Sequence, residues 1–215
     1  MENSKERNDL EDTFTDIYHS NFWGSAESRS GEGSTMSYAG SLLENFTDII
    51  REFNVNCMLD TSCGDWNWMK RLAERLPDYT GLDIVEELVV KNNWTYGNSH
   101  TRFVHTDSLS FLEDQANNSF DLILCRHTLE HLPTAYNIQY LKEASRVGKV
   151  LLITTNKTCK ANTDLAIGSV FRPVNLELEP YDFMNQYFHS HVYDGPLNKP
   201  KVKEMYSLYL SLYLT

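Results

Sequence analysis

Three aspartates close three short apolar runs. Asp60 ends Val55–Asp60, Asp83 ends Tyr79–Asp83, and Asp107 ends Arg102–Asp107. A carboxylate at a strand end can accept two hydrogen bonds from a ribose diol, and another can accept from an amine. Each aspartate alone is equally an ordinary helix cap or turn former. Three at matching places, the first followed by the small-residue turn Thr61-Ser62-Cys63-Gly64, point to an adenosine-containing ligand. That turn does not suit a pyrophosphate. A dinucleotide site uses Gly-x-Gly-x-x-Gly so that backbone N–H groups can cradle phosphate. Here Gly64 stands alone between Asp60 and Asp65, whose charges would repel phosphate, and no Gly-Lys-Ser/Thr follows.

A ligand with no phosphate and a cationic end fits better. S-adenosyl-L-methionine, with its sulfonium and ammonium groups, has that form, and a nicotinamide dinucleotide is the weaker alternative. A second constellation, His127-Thr128-Leu129-Glu130-His131, follows the apolar run Phe120–Cys125. Histidine is the commonest general base, so His127 and His131 are candidates to take a proton from an acceptor, His127 slightly favoured. Either is equally a packing residue. The five residues also match the H-x-x-E-H zinc pattern. The pattern is short, its place after a strand accounts for it, and Pro133 limits the helix, so no zinc site is expected there; the sequence shows no ligand set for another divalent metal.

These residues need elements to hold them. Leu42, Leu43, Phe46, Ile49, Ile50 and Phe53 have helical spacing, placing a helix over Thr35–Phe53. Strands follow at Val55–Asp60, Tyr79–Asp83, Arg102–Asp107, Phe120–Cys125 and Gly148–Thr155, with helices at Trp66–Leu76, Val85–Asn93, Ser108–Gln115 and Thr128–Arg146. Asp65 is a candidate cap for the first of these helices. Nearly continuous apolar strands alternating with helices imply a parallel sheet covered on both faces, with ligands at the carboxyl ends of its strands. Gly24–Ser34 reads as a loop, Thr13–Trp23 as a helix and Met1–Asp12 as a disordered tip. Asn162–Pro180 reads as loop, and Gly195-Pro196 and Lys199-Pro200 break the chain. Gln186–Tyr193 and Glu204–Tyr213 read as two antiparallel edge strands, with a C-terminal helix over Val202–Leu214 as the competing assignment.

Composition narrows the function classes. The 215 residues carry 19 Lys and Arg against 30 Asp and Glu, a net charge of −11 that disfavours DNA and anionic lipid surfaces. No apolar run approaches the roughly 20 residues of a membrane helix, and residues 1–12 have no signal-peptide core. Cys57, Cys63, Cys125 and Cys159 form no Cys-x-x-Cys and read as reduced thilos of a cytoplasmic protein, buried or partly so.

The stretches Leu59–Met69, Tyr79–Val85 and Asp121–Leu132 resemble class I S-adenosylmethionine-dependent methyltransferases. The lead-in Trp23–Ser34 and the Arg-Pro-x-Asn-Leu of Arg172–Leu176 are similar to those of a small subgroup found in bacteria, algae and algal viruses, some members associated with glycan building. The resemblance implies a Rossmann-like α/β fold with a mostly parallel seven-stranded sheet and helices on both faces. It implies a helical lid and cofactor-covering loop over residues 1–53 and a core with acceptor-side elements over 54–215, as one domain. It puts Asp60 and Gly64 around the methionine part of the cofactor, Asp83 on the ribose and Ile84 on the adenine. It puts Asp107 on the adenine amine with Ser108 beside it, and Arg126 near the sulfonium. Trp23, Gly24, Arg29 and Ser34 would fold over the cofactor, Arg29 pairing with its carboxylate. The implied acceptor is a small molecule or glycan, a sugar hydroxyl favoured. Tyr181, Phe183, Tyr187, Phe188 and Tyr193 would line its pocket or else cover the edge strands.

Overall fold

The computed structural model describes residues 2–166, 168–181, 183, 188–193 and 206–212, the last two segments and residues 2–8 by backbone only. Helices α1 (Glu2–Ser20) and α2 (Met36–Glu52) precede an alternating core. The core runs β1 (Cys57–Asp60), β2 (Asp78–Asp83), α3 (Glu86–Tyr96), β3 (Thr101–His105), α4 (Ser108–Glu113), β4 (Phe120–Cys125), α5 (Thr134–Val147) and β5 (Gly148–Asn156). Strands β6 (Phe188–Tyr193) and β7 (Tyr206–Leu212) end the order β3-β2-β1-β4-β5-β7-β6. Five of the seven strands are parallel; β7 joins β5 antiparallel and β6 joins β7 antiparallel. An extended β7 replaces the competing C-terminal helix, and Tyr206–Leu212 pairs with Val150–Asn156 residue for residue.

Side-chain alternation explains the burial of both sheet faces. Leu122, Leu124, Val150 and Leu152 pack on one side with Leu42 and Phe46 of α2. Ile123, Cys125, Leu151 and Ile153 pack on the other with Tyr140 and Ala144 of α5. Several helical segments depart from the sequence reading. Residues 2–12 of the expected disordered tip are helical, because α1 already begins at Glu2. Trp66–Leu76 is not an α-helix; Met69–Arg75 forms a 3-10 turn, and Trp66 takes φ +55° to enter it. Asp65 does not cap that turn, whose N-cap is Trp68 with no side-chain bond. Pro133 splits the expected Thr128–Arg146 helix into a 3-10 turn at Leu129–His131 and α5.

Tyr181 and Phe183 are core residues, 6% and 5% exposed, packed beneath α5 rather than lining a pocket. The side chains of Phe188 and Tyr193, and all of Tyr187, lie outside the described residues, as do Gly195-Pro196 and Lys199-Pro200.

Candidate active site

Strand order reverses between β1 and β4, and the register there places Asp60 beside Leu124, while Asp83 ends β2 beside His105. A doubly wound sheet opens its crevice at that point. An open cleft lies there. Its floor includes Thr61, Ser62, Gly64, Asp83, Asp107 and Ser108.

The first turn is held from three sides. Thr61 N–H donates to the Leu124 carbonyl at 3.0 Å, and Cys63 N–H donates to that of Leu82 at 2.8 Å. Gly64 N–H donates to Asp83 Oδ2 at 3.0 Å. Gly64 has φ +56°, and a Cβ there would collide with Ser30 Oγ, so glycine is required both by conformation and by close approach. Val85 N–H donates to Asp83 Oδ1 at 3.0 Å. Burial raises the Asp83 pKa, opposed by these backbone bonds. Two bonds leave acceptor capacity on the carboxylate for a diol.

Asp107 fills its capping role: Oδ1 accepts from Ser110 N–H at 2.9 Å at the start of α4. Its Oδ2 accepts from the Tyr136 hydroxyl at 2.7 Å. Ser108 Oγ donates to the Thr61 carbonyl, tying the third strand end to the first turn. Asp60 does not line the cleft. It is 4% exposed, accepts from the Tyr79 hydroxyl at 2.8 Å, and is pushed up to about 6 by burial.

The loop before α2 is docked. Asp65 accepts from Ser28 Oγ and from Arg29 N–H, both at 2.9 Å. Glu27 accepts from Asn67 Nδ2 at 2.7 Å. Trp23, Arg29, Ser34 and Ile84 line the cleft; Gly24 does not, and its φ of +67° turns the chain out of α1. Arg29 Nη1 donates to the Tyr18 and His19 carbonyls at 3.1 and 3.2 Å. Arg126, 8% exposed, donates to the Gly33 carbonyl at 2.8 Å, with its guanidinium 5.2 Å from the Trp68 ring centre.

The two histidines are held differently. His127 takes φ +52°, a strained setting for a non-glycine residue. Its Nδ1 lies 3.4 Å from Glu130 Oε1. A carboxylate oxygen only accepts, so Nδ1 carries the hydrogen and the proton-accepting lone pair is on Nε2. Burial opposes ionisation of Glu130, but the bond from His127 and the charges of both histidines outweigh it and hold its pKa low. His131 instead donates from Nδ1 to the Val170 carbonyl at 2.6 Å, and burial lowers its pKa. Among the described residues, no group of three or more His, Cys, Asp or Glu could hold a metal ion.

Several residues were not singled out in the sequence. Leu10, Phe14 and Ile17 of α1 line the cleft, at helical spacing that could have marked them. Glu130 sat inside the histidine motif. Arg172 was seen only as part of a resemblance. It clamps the turn beneath the histidines, its Nη2 donating to the Leu132 carbonyl at 2.7 Å and its N–H to that of Glu130 at 2.9 Å.

This strand order, with its crevice and strand-end carboxylates, is the fold of class I S-adenosylmethionine-dependent methyltransferases. Residues 58–150 match a family described as a methyltransferase domain. Curated relatives include uncharacterized methyltransferases of Mycobacterium bovis and Mycobacterium tuberculosis, each 28% identical over 85 residues. The match takes in 40% of this chain and spans 42% of the relatives' length. Among solved structures, a Burkholderia thailandensis 1,6-didemethyltoxoflavin-N1-methyltransferase with bound S-adenosylhomocysteine superposes with a TM-score of 0.64 at 16% identity, over 96% of this chain and 88% of its own. A Synechocystis magnesium protoporphyrin IX methyltransferase with bound S-adenosylhomocysteine gives 0.61 at 14% identity, over 97% and 100%. No helix among the described residues is long and apolar enough to cross a membrane.

Proposed function

We propose that this chain is an S-adenosylmethionine-dependent methyltransferase that methylates a hydroxyl of a small acceptor. The observation that carries this reading is the cleft at the switch in strand order, with Asp83, Asp107 and the Gly64 turn on its floor. Asp83 has acceptor capacity for the ribose diol, Ile84 offers an apolar edge to adenine, and Asp107 with Ser108 stands where the third strand ends. Gly64, Arg29 and Arg126 flank the methionine end. Ser34 and Trp23 complete the cover, and Gly24 and Asp60 support the site from outside the cleft. The bound cofactor supplies an electrophilic methyl on a positive sulfonium.

A hydroxyl is a poor nucleophile until its proton is taken. His127 is the base in this reading, with Glu130 holding Nδ1–H and offsetting the imidazolium charge; Nε2 is buried beside Gly33, so the acceptor hydroxyl reaches it only by displacing that loop. The hydroxyl oxygen gains the methyl carbon as the carbon–sulfur bond breaks, and that bonding pair stays on sulfur. His131 forms part of the wall around the reaction. A sugar hydroxyl is the acceptor implied by the sequence resemblance, but two aromatics considered for its pocket, Tyr181 and Phe183, lie in the core. The four cysteines are free, in keeping with a cytoplasmic setting.

Titration calorimetry with S-adenosylmethionine tests the first half, and no heat from a folded preparation would overturn it. A turnover screen over hydroxyl, amine and peptide acceptors with mass analysis tests the second. Cofactor binding with no turnover on any acceptor would instead mark a catalytically silent binding module.

A further inference from the structure

The cleft wall beyond the strand ends is apolar and aromatic. Leu10, Phe14 and Ile17 lie on one face of α1 and line it together with Trp23, His131 and Leu132. The rings touch one another. The Phe14 and His131 centroids are 6.2 Å apart at 85°, and those of Trp23 and His131 are 5.2 Å apart at 48°. Phe171 backs His131 at 5.7 Å. The Nδ1 of His131 is committed to the Val170 carbonyl, so its ring offers a face rather than a charge.

Three long polar side chains of the cleft are already bonded within the protein. Arg29 holds two carbonyls of α1, Arg126 holds the Gly33 carbonyl, and the Tyr136 hydroxyl holds Asp107. A polyhydroxylated ring laid on this wall would turn several hydroxyls toward carbon, with a penalty for each left unpaired. A flat ring with one hydroxyl loses almost nothing on entering and gains area and ring contacts. A phenol also ionises near pH 10, about six units below bulk water, so a histidine can take its proton far more readily.

We infer that the acceptor is a flat, uncharged phenol held against the Phe14–Trp23–His131 wall, with Trp23 setting specificity. This rests on the methyl-transfer reading and replaces the sugar ring with an aromatic one. The test uses protein saturated with S-adenosylhomocysteine and two probes, 7-hydroxycoumarin and methyl β-xyloside, titrated by calorimetry. The coumarin binds and the xyloside does not. Trp23→Ala weakens coumarin binding at least about tenfold and Trp23→Phe restores most of it, with wild-type circular dichroism and thermal midpoint in both variants as the folding control. Phe14→Ala is the second variant and weakens the coumarin in the same way. With S-adenosylmethionine, mass analysis finds the coumarin O-methylated. Xyloside binding and methylation without the coumarin would overturn the acceptor assignment and leave the methyl-transfer reading intact. Coumarin affinity unchanged in both Trp23→Ala and Phe14→Ala would overturn the wall's role. Failure of S-adenosylhomocysteine itself to bind would remove the underlying reading and the acceptor assignment with it.

Discussion

Glu130 is 1% exposed, yet one of its carboxylate oxygens faces His127 Nδ1 at 3.4 Å while the other has no partner among the described residues. An ion so placed is retained at a cost, and here it fixes which nitrogen of His127 carries the hydrogen. Glu130→Gln is therefore expected to lower kcat by roughly tenfold, less than the 10²–10⁴ that a general base itself contributes. Losing the negative charge makes the imidazolium less stable, so the acid limb of the kcat profile moves to lower pH. Affinity for S-adenosylhomocysteine stays the same. An unshifted limb would show that Glu130 does not act through His127.

Asp83 is predicted to dominate cofactor affinity. A hydrogen bond to a charged group is worth about 1.5–3 kcal/mol, so Asp83→Ala should weaken S-adenosylhomocysteine by roughly 10- to 150-fold. Asp83→Asn keeps one acceptor for Gly64 or Val85 and should fall between. Calorimetry at one pH decides it, and native affinity in the alanine variant would refute the ribose role.

Gly64→Ala tests the seam between the first turn and the docked loop. The positive φ alone costs about 1–2 kcal/mol for a residue with a Cβ, and the Ser30 side chain stands in the way, its own Cβ 2.9 Å from the added atom. The urea midpoint should drop. Adding Ser30→Gly should recover the steric part but not the conformational part, and full recovery would show that the backbone is not strained there.

Asp60 should give stability a pH slope of unusual sign. Its pKa of about 6 in the fold lies above the ordinary carboxylate value because of burial. From about pH 4 to 6 the folded chain holds a proton that the unfolded chain has released, so stability falls as pH rises through that window. The loss is on the order of 2–3 kcal/mol. Asp60→Asn should flatten the slope between pH 4 and 7 in thermal melts. An unchanged slope would assign it to other groups.

The parallel core was legible because its code is local. A nearly continuous apolar run such as Phe120–Cys125, broken only by Asp121, suits a doubly covered strand, and β4 has those bounds. The strand-end aspartates followed from the same pattern. What escaped depends on contacts distant in sequence. Asp60 and Asp83 look alike in the sequence, but only Asp83 faces the cleft, because the Tyr79 hydroxyl from the next strand captures Asp60. The polar start of α1 suggested disorder. Its apolar residues Leu10, Phe14 and Ile17 find partners only when the strand ends assemble, including His131, more than a hundred positions away. Tyr181 and Phe183 suggested an acceptor pocket by type, but the surface under α5 needed filling.

That separation has a consequence for biosynthesis. Helix α1 emerges from the ribosome long before the histidine turn it packs against. At about 5–20 residues per second, its apolar face waits roughly 6–22 seconds for residue 131. Through that interval the nascent chain carries an uncovered apolar stripe. Chains arrested at residue 125 should bind a hydrophobic-surface dye more strongly than chains arrested after residue 183, and equal binding would show that α1 finds cover sooner.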